Sequence, residues 1–223
     1  MINQISKPAA VSGTESYRRP GLFWQDSTKS LILYSGDDYS GRSSYAKPYT
    51  IWEFTPSNGD GIWKPTTASL KDITWPRFAS TVDTPSGGFV TGGFSYIPRG
   101  KFEPLRNMTI VGDPKTFTGL QNIGPFLKGG IHYGNAHFVP SFGTGKGMIV
   151  YIGGTTYGTI PPKRSMTRRA GEPDTFLSLS TIYMYDIASQ LWYTQTAGGD
   201  VPTSRRSFCM TGARETNTNS YEM

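Results

Sequence analysis

The chain has 223 residues, a formal net charge of +6, 27 glycines and 16 prolines. Its hydrophobic share of 36% excludes an intrinsically disordered chain, and the lack of a long apolar run excludes a transmembrane helix. Residues 1–16 are polar, lack the apolar core of a secretion signal and predict a flexible segment. The single cysteine, Cys209, excludes an internal disulfide framework. Frequent turn formers and an aromatic share of 13% favour short β-strands.

The first part of the chain, residues 17–70, predicts four short strands joined by turns. The strands lie at 21–24, 31–36, 50–54 and 61–63. The second strand ends in Ser35-Gly36, and the fourth ends in Trp63. A turn signal at 56–59 separates the last two strands, so this segment predicts one antiparallel meander.

The same order of strands recurs in residues 71–128 and 129–200. The second strands of these segments end in Gly92-Gly93 and Gly153-Gly154. A fourth segment begins near residue 205 and reaches residue 223 where its second strand would start. The predicted strands are 77–81, 88–93, 108–111 and 116–118, then 136–139, 148–154, 181–186 and 191–193.

The repeated residues have a physical explanation. Glycine inside a strand marks a bend or the close approach of another backbone, which predicts close packing at Gly36, Gly93 and Gly154. Large rings such as Trp63 and Trp192 fill the space between neighbouring sheets. The recurrence therefore predicts similar small sheets stacked side by side, with a generic β-sandwich as the alternative.

These residues resemble kelch repeats, in which a strand ending in Gly-Gly precedes Tyr-Asp, Trp and Pro-x-x-Arg. Arg77 opens the second segment as Arg205 opens the fourth, and residues 17–223 are similar to the kelch/galactose-oxidase class of β-propellers. The stretches 51–54, 137–143 and 206–209 are most similar to fungal kelch-repeat proteins. The first segment has Ser35 in place of the first glycine, and the second lacks Tyr-Asp and the late Trp. The best-matching residues are Gly153, Gly154, Tyr185, Asp186, Trp192, Pro202 and Arg205.

The resemblance implies an all-β, kelch-type propeller fragment with three complete four-stranded blades at 17–70, 71–128 and 129–200, and a partial blade at 201–223. Propellers close with 4–8 blades, so we expect the chain to be incomplete, or to complete its ring with a second chain. The implied function is a non-catalytic protein-binding scaffold, extracellular or membrane-anchored in full-length relatives. The alternatives are a segment of a galactose-oxidase-like carbohydrate oxidase and a structural fragment without independent function.

Residues able to carry catalysis are few. His132 and His137 are the only histidines, and their odd spacing places them on opposite faces of an extended strand. A bend at Gly134 is the alternative that would bring the two imidazoles to one site. Cys209 is expected to be a small buried residue of a strand. The sequence therefore assigns no catalytic, cofactor-binding or metal-binding residue. Asn107 begins a glycosylation sequon that matters only in a secreted protein.

Partner binding is predicted in the links between the second and third strands, at 37–48, 94–107 and 155–178. In a four-stranded meander these links emerge at the same end of every unit, and loops of this length are usually functional or disordered. Their cations predict an acidic protein surface or glycan as partner, and no nucleic acid is expected. The candidate contact residues are Arg99, Lys101, Arg106, Lys163, Arg164, Arg168 and Arg169.

Overall fold

A computed structural model describes residues 17–18, 20–38, 51–58, 60–66, 75–97, 101–105, 108–113, 115–120, 131–140, 142–156, 175–214 and 221–223. Within these ranges every regular element is a β-strand, and none of them contains a helix able to cross a membrane. The strands are β1 (Tyr17–Arg18), β2 (Gly21–Gln25), β3 (Ser30–Tyr34), β4 (Asp37–Asp38), β5 (Ile51–Ser57), β6 (Asp60–Thr66), β7 (Ser80–Thr84), β8 (Gly87–Thr91), β9 (Phe94–Ile97), β10 (Lys101–Pro104), β11 (Met108–Gly112), β12 (Thr116–Leu120), β13 (Ile131–His132), β14 (Asn135–Val139), β15 (Met148–Ile152), β16 (Thr155–Thr156), β17 (Thr175–Phe176), β18 (Thr181–Asp186), β19 (Leu191–Thr196), β20 (Ala213–Arg214) and β21 (Tyr221–Glu222).

Three four-stranded antiparallel sheets form the body of the described chain. The first sheet has the order β2-β3-β5-β6, the second β7-β8-β11-β12 and the third β14-β15-β18-β19. Small sheets flank them: β1 pairs with β4, β9 with β10, β16 with both β13 and β17, and β20 with β21. The predicted all-β class with four-stranded antiparallel sheets is confirmed.

The three sheets share the same residue pairing between their third and fourth strands. On the third strands, Phe54 and Tyr185 pair with Trp63 and Trp192 on the fourth strands. In the second sheet the same position is held by Phe117. The second segment therefore keeps a large ring at this register although its sequence lacks the tryptophan.

The sheets pack face to face in chain order. Between the first and second sheets, Phe23, Ile32 and Tyr34 bury their side chains against Val90 and Val111. Between the second and third, Phe89 and Met108 meet a cluster that includes Ile149, Tyr151 and Tyr185. The first strand of the second sheet, β7, contacts both β2 and β14, so the three sheets fan out from adjacent first strands.

A two-residue kink directly follows the second strand of each four-stranded sheet. Both residues of each kink have positive φ, the left-handed region that favours glycine. The second residue then donates its N–H to a carbonyl of the segment that leads into the next sheet. The kinks are Ser35-Gly36, Gly92-Gly93 and Gly153-Gly154, and the bonds are Gly36 to Pro76 at 3.1 Å, Gly93 to Ile131 at 2.6 Å and Gly154 to Arg205 at 3.0 Å.

Two sequence predictions differ from the structure. The strand predicted at 77–81 begins later, at Ser80, because Arg77 pairs with Phe94 in an isolated bridge and Phe78 has positive φ. Cys209 is exposed rather than buried. Residues 201–212 form no strand, so no neighbouring strand covers its side chain as the predicted sheet would.

Candidate functional site

The kinks define one end of the three sheets, called the kink end here. The strands β3, β8 and β15 end there, and the links to the third strands leave from it. The short turns within the sheets, such as 26–29 and 187–190, lie at the opposite end, called the turn end. The links predicted to bind a partner therefore start together at the kink end.

The predicted contact residues lie mostly beyond the described ranges. Lys101 belongs to β10, which pairs with β9 at the base of its link, and only its backbone is described. The structure thus gives the base of the predicted binding surface. The remaining residues lie outside the described ranges, namely Arg99, Arg106, Lys163, Arg164, Arg168 and Arg169.

A cationic or imidazole residue recurs where each unit begins. Arg18 pairs with Asp37, Arg77 with Phe94, and His132 with Thr155, always directly after a kink. The residue following Arg77, His132 and Arg206 has positive φ in each case. Arg206, not Arg205, therefore occupies the position of Arg77, so the equivalence predicted from the Pro-x-x-Arg spacing is one residue too early.

The positive-φ residues link neighbouring units through the backbone. Tyr133 donates its N–H to the carbonyl of Phe78 at 3.1 Å, and Ser207 donates to the carbonyl of Tyr133 at 2.9 Å. The rings of Phe78 and Tyr133 pack with centroids 4.6 Å apart. Backbone hydrogen bonds thus connect the first residues of three successive units at the kink end.

Arg206 lies against two rings at this line. Its guanidinium carbon is 5.3 Å from the ring centroid of Tyr133 and 5.9 Å from that of Phe176. The arginine is half-buried, whereas Phe176 on β17 is 45% exposed. Cation–π contacts of this kind fix the guanidinium plane while leaving part of the cluster open to solvent.

The two histidines have separate partners. His132 is buried, and its Nε2 lies 2.8 Å from the hydroxyl of Thr155. His137 lies within β14, where its Nε2 is 2.8 Å from the hydroxyl of Tyr221 and burial lowers its pKa. Among the described residues, no group of three potential His, Cys, Asp or Glu ligands is close enough to hold a metal ion.

Other residues of the repeat pattern hold the sheets together. Asp186, at the turn end, is buried and accepts hydrogen bonds from the N–H groups of Thr144 and Ala188, both at 2.9 Å. Burial alone would raise its pKa, but these hydrogen bonds outweigh burial and hold the pKa below its ordinary value. Tyr185 packs against Trp192 with ring centroids 5.2 Å apart. Asp186 and Tyr185 therefore stabilise the fold and do not form part of an exposed site.

Comparisons with known proteins bear on the fold alone. No family profile matches the chain, and no curated protein matches its sequence. Among solved structures, 119 chains are similar. One of them, reported as "Structure of YjhT", matches with a TM-score of 0.52 and 11% identity, over 84% of this chain and 54% of that chain. The chain therefore spans about half of that structure and shares its fold over this length.

Proposed function

We propose that this chain is part of a kelch-type β-propeller and acts as a non-catalytic scaffold that binds a protein partner at the kink end. The observation that carries the proposal is the kink itself. It recurs at the same place in three sheets and is bonded each time to the next unit. A ring of such units directs every link between second and third strands to one end.

Packing supports the propeller part of the proposal. The second sheet is covered on both faces by its neighbours, as a blade within a ring is. On the first sheet, Leu22 and Trp24 face away from the second sheet and are 49% and 39% exposed. A further sheet against this face would bury them, as Phe23 is buried on the opposite face.

The composition of the kink end supports the binding part. The long links carry all seven candidate cations, and Phe176, near the end of the third link, lies against Arg206 and is exposed. Arginine and aromatic side chains are enriched among residues that dominate interface energies. An acidic protein surface is the partner that this charge favours.

Binding to immobilised poly-L-glutamate, measured by biolayer interferometry at several salt concentrations, tests the proposal. The unmodified chain should bind at low salt and release as salt rises, because exposed charges are screened. A variant with all seven candidate link cations changed to alanine should bind at least about tenfold more weakly, with a flatter salt dependence. Lys29→Ala is the matched control, since Lys29 is an exposed cation at the turn end.

Two outcomes would contradict the proposal. The first is that the unmodified chain does not bind poly-L-glutamate at low salt, or that the seven-site variant binds as well as it does. The second is copper-dependent oxidation of a galactose-type sugar, detected as released hydrogen peroxide. That activity would favour the carbohydrate oxidase implied by the same resemblance.

A further inference from the structure

The side of the first sheet that faces away from the second sheet is apolar across all four strands. Cross-strand partners lie on the same side of a sheet, so the strand pairings define this side, called the outer face here. Its first-strand residues, Leu22 and Trp24, are exposed. An exposed apolar face of this kind indicates a contact with another protein surface. The face consists of two uncharged cross-strand rows, Leu22-Leu33-Trp52-Pro65 and Trp24-Leu31-Phe54-Trp63.

The corresponding side of the second and third sheets packs against the preceding sheet. Leu33 occupies the same position before its kink as Val90 and Tyr151 do before theirs. Val90 lies in the cluster between the first and second sheets, and Tyr151 lies in the cluster between the second and third. The outer face is therefore the side of the first sheet that receives a preceding unit, and the surface that fits it is a unit of this same kind.

The fourth segment has a side that faces away from the third sheet. An added Cβ at Gly212 would lie 2.7 Å from the imidazole Nε2 of His137, so Gly212 faces the third sheet. Cys209, Thr211 and Ala213 are exposed, whereas the residues between them are half-buried. This alternation places the three exposed residues on the side opposite to Gly212, called the outward side here.

Large side chains meet small ones in the contact between the first and second sheets. The ring of Phe23 is fully buried over Gly88, where an added Cβ would lie 2.0 Å from Cδ1 of the ring. The outer face and the outward side differ in the same way, because Leu22 and Trp24 are large and the residues of the outward side are small. Glu222 on β21 adds a carboxylate at the end of the outward side, where the rim of an interface is polar.

We propose that the chain forms a two-fold dimer in which the outer face of each copy packs on the outward side of the other. A two-fold axis generates both contacts at once, so each copy covers the two exposed sides of its partner. The inference rests on the propeller part of the proposed function, since the same sheet-on-sheet packing then continues across two copies to complete the ring. One copy spans 54% of the similar solved structure, so two copies match that structure in length.

Sedimentation equilibrium measures the mass in solution and tests the dimer. The unmodified chain should be a dimer at about 10 μM, because two contacts hold each pair. Leu22→Asp should raise the dissociation constant at least about a hundredfold, because it leaves an unpaired carboxylate in an apolar contact. Ile62→Asp is the matched control. Ile62 is 58% exposed and precedes Trp63, so it lies on the opposite side of the same sheet, and this variant should remain a dimer.

A mixing experiment tests which surfaces meet. Thr211→Arg places a large cation on the outward side and should also give a monomer. Mixed in equal amounts, the Leu22→Asp and Thr211→Arg variants should form a dimer, because one contact carries no substitution and the other brings the new carboxylate against the new guanidinium. A pairing of two outer faces would instead leave Thr211→Arg dimeric and give no recovery on mixing. Either of those results overturns the proposal.

The thiol of Cys209 reports on the same contact. It is exposed in the single chain and would be covered in the dimer, so its labelling by a maleimide should slow several-fold as the protein concentration rises from about 0.1 to about 100 μM. The Leu22→Asp variant should be labelled at one rate over that range. Labelling of the unmodified chain at one rate, in samples that sediment as a dimer, would place the contact elsewhere and overturn the proposal.

The outcomes separate this inference from the broader one. Variants are first compared by circular dichroism, so that only folded proteins are measured. If the unmodified chain is a monomer at about 100 μM and still binds poly-L-glutamate, the dimer is overturned and the scaffold proposal stands. If it is a dimer that does not bind poly-L-glutamate, the dimer stands and the scaffold proposal is overturned. A monomer without binding overturns both.

Discussion

Changing Gly88 to alanine should weaken the packing between the first and second sheets. A Cβ atom at this position would lie 2.0 Å from Cδ1 and 2.5 Å from Cγ of Phe23, whose side chain is fully buried. Because both distances are far below a van der Waals contact, the ring must move within a filled core. Overpacking of this kind costs about 1–3 kcal/mol. In a chain of this size, we expect the melting temperature to fall by about 2–4 °C for each kcal/mol.

Gly198→Ala is the matched control for this change. An added Cβ there meets no heavy atom within 4 Å, so the variant reports only the lower backbone entropy of alanine in the unfolded chain. The difference in unfolding free energy between the two variants then isolates the steric cost. Both are measured by urea denaturation followed by circular dichroism.

A double variant tests the cause. Phe23→Ala alone removes a buried ring and should cost about 3–5 kcal/mol. Combined with Gly88→Ala, it should cost less than the two separate losses added together, because the ring that clashes is gone. Additive losses, or equal stability of the Gly88 and Gly198 variants, would refute the packing argument.

Three further changes follow from the same structure. Gly93→Ala should destabilise the fold by more than about 2 kcal/mol, because Gly93 has a φ of 79° and its Cβ would lie 2.3 Å from a backbone carbonyl oxygen. Lys115 donates a hydrogen bond to Glu53 and lowers the pKa of that carboxyl. The stability that this contact adds to the fold is therefore present above the ordinary glutamate pKa and lost as pH falls through the lowered value. Glu53→Gln should reduce this loss, measured as the urea midpoint between about pH 5 and pH 3. Burial lowers the pKa of His137, so stability falls as pH drops below about 6.5, and His137→Gln should flatten the urea midpoint between about pH 7 and pH 5.

Controls sharpen each of these expectations. Gly199 has a φ of 77° and open space around it, so Gly199→Ala should cost only the backbone strain and less than Gly93→Ala. Equal losses at the two glycines would contradict the proposed carbonyl clash. For Glu53 and His137, an unchanged slope of stability against pH in the glutamine variant would show that the group does not titrate on unfolding.

Strand alternation and glycine placement made much of the fold predictable. The apolar strand before Gly154 and the Tyr185-Asp186 strand lie where the sequence placed them, since alternation and turn residues act locally. The close backbone approach expected at the glycines is the bond that each donates to the next unit. What local pattern could not give was register between units.

The candidate site depends on contacts between units, which local sequence patterns do not predict. The position of Arg206 is defined by the positive φ of the next residue, Ser207, and by a bond to Tyr133 in another unit. Serine carries no strong signal for that conformation, so the motif spacing pointed to Arg205 instead. The contact with Phe176 depends on the path of a long link, which composition alone does not determine.

The bonds between kinks and neighbouring units use main-chain atoms on both sides. The acceptor residue is proline in one case, isoleucine in another and arginine in the third, since the carbonyl oxygen is common to all three. Substitution at Pro76, Ile131 or Arg205 therefore leaves the connection chemically intact. An architecture joined in this way tolerates extensive divergence among its repeats, and its members can share a shape while retaining little common sequence.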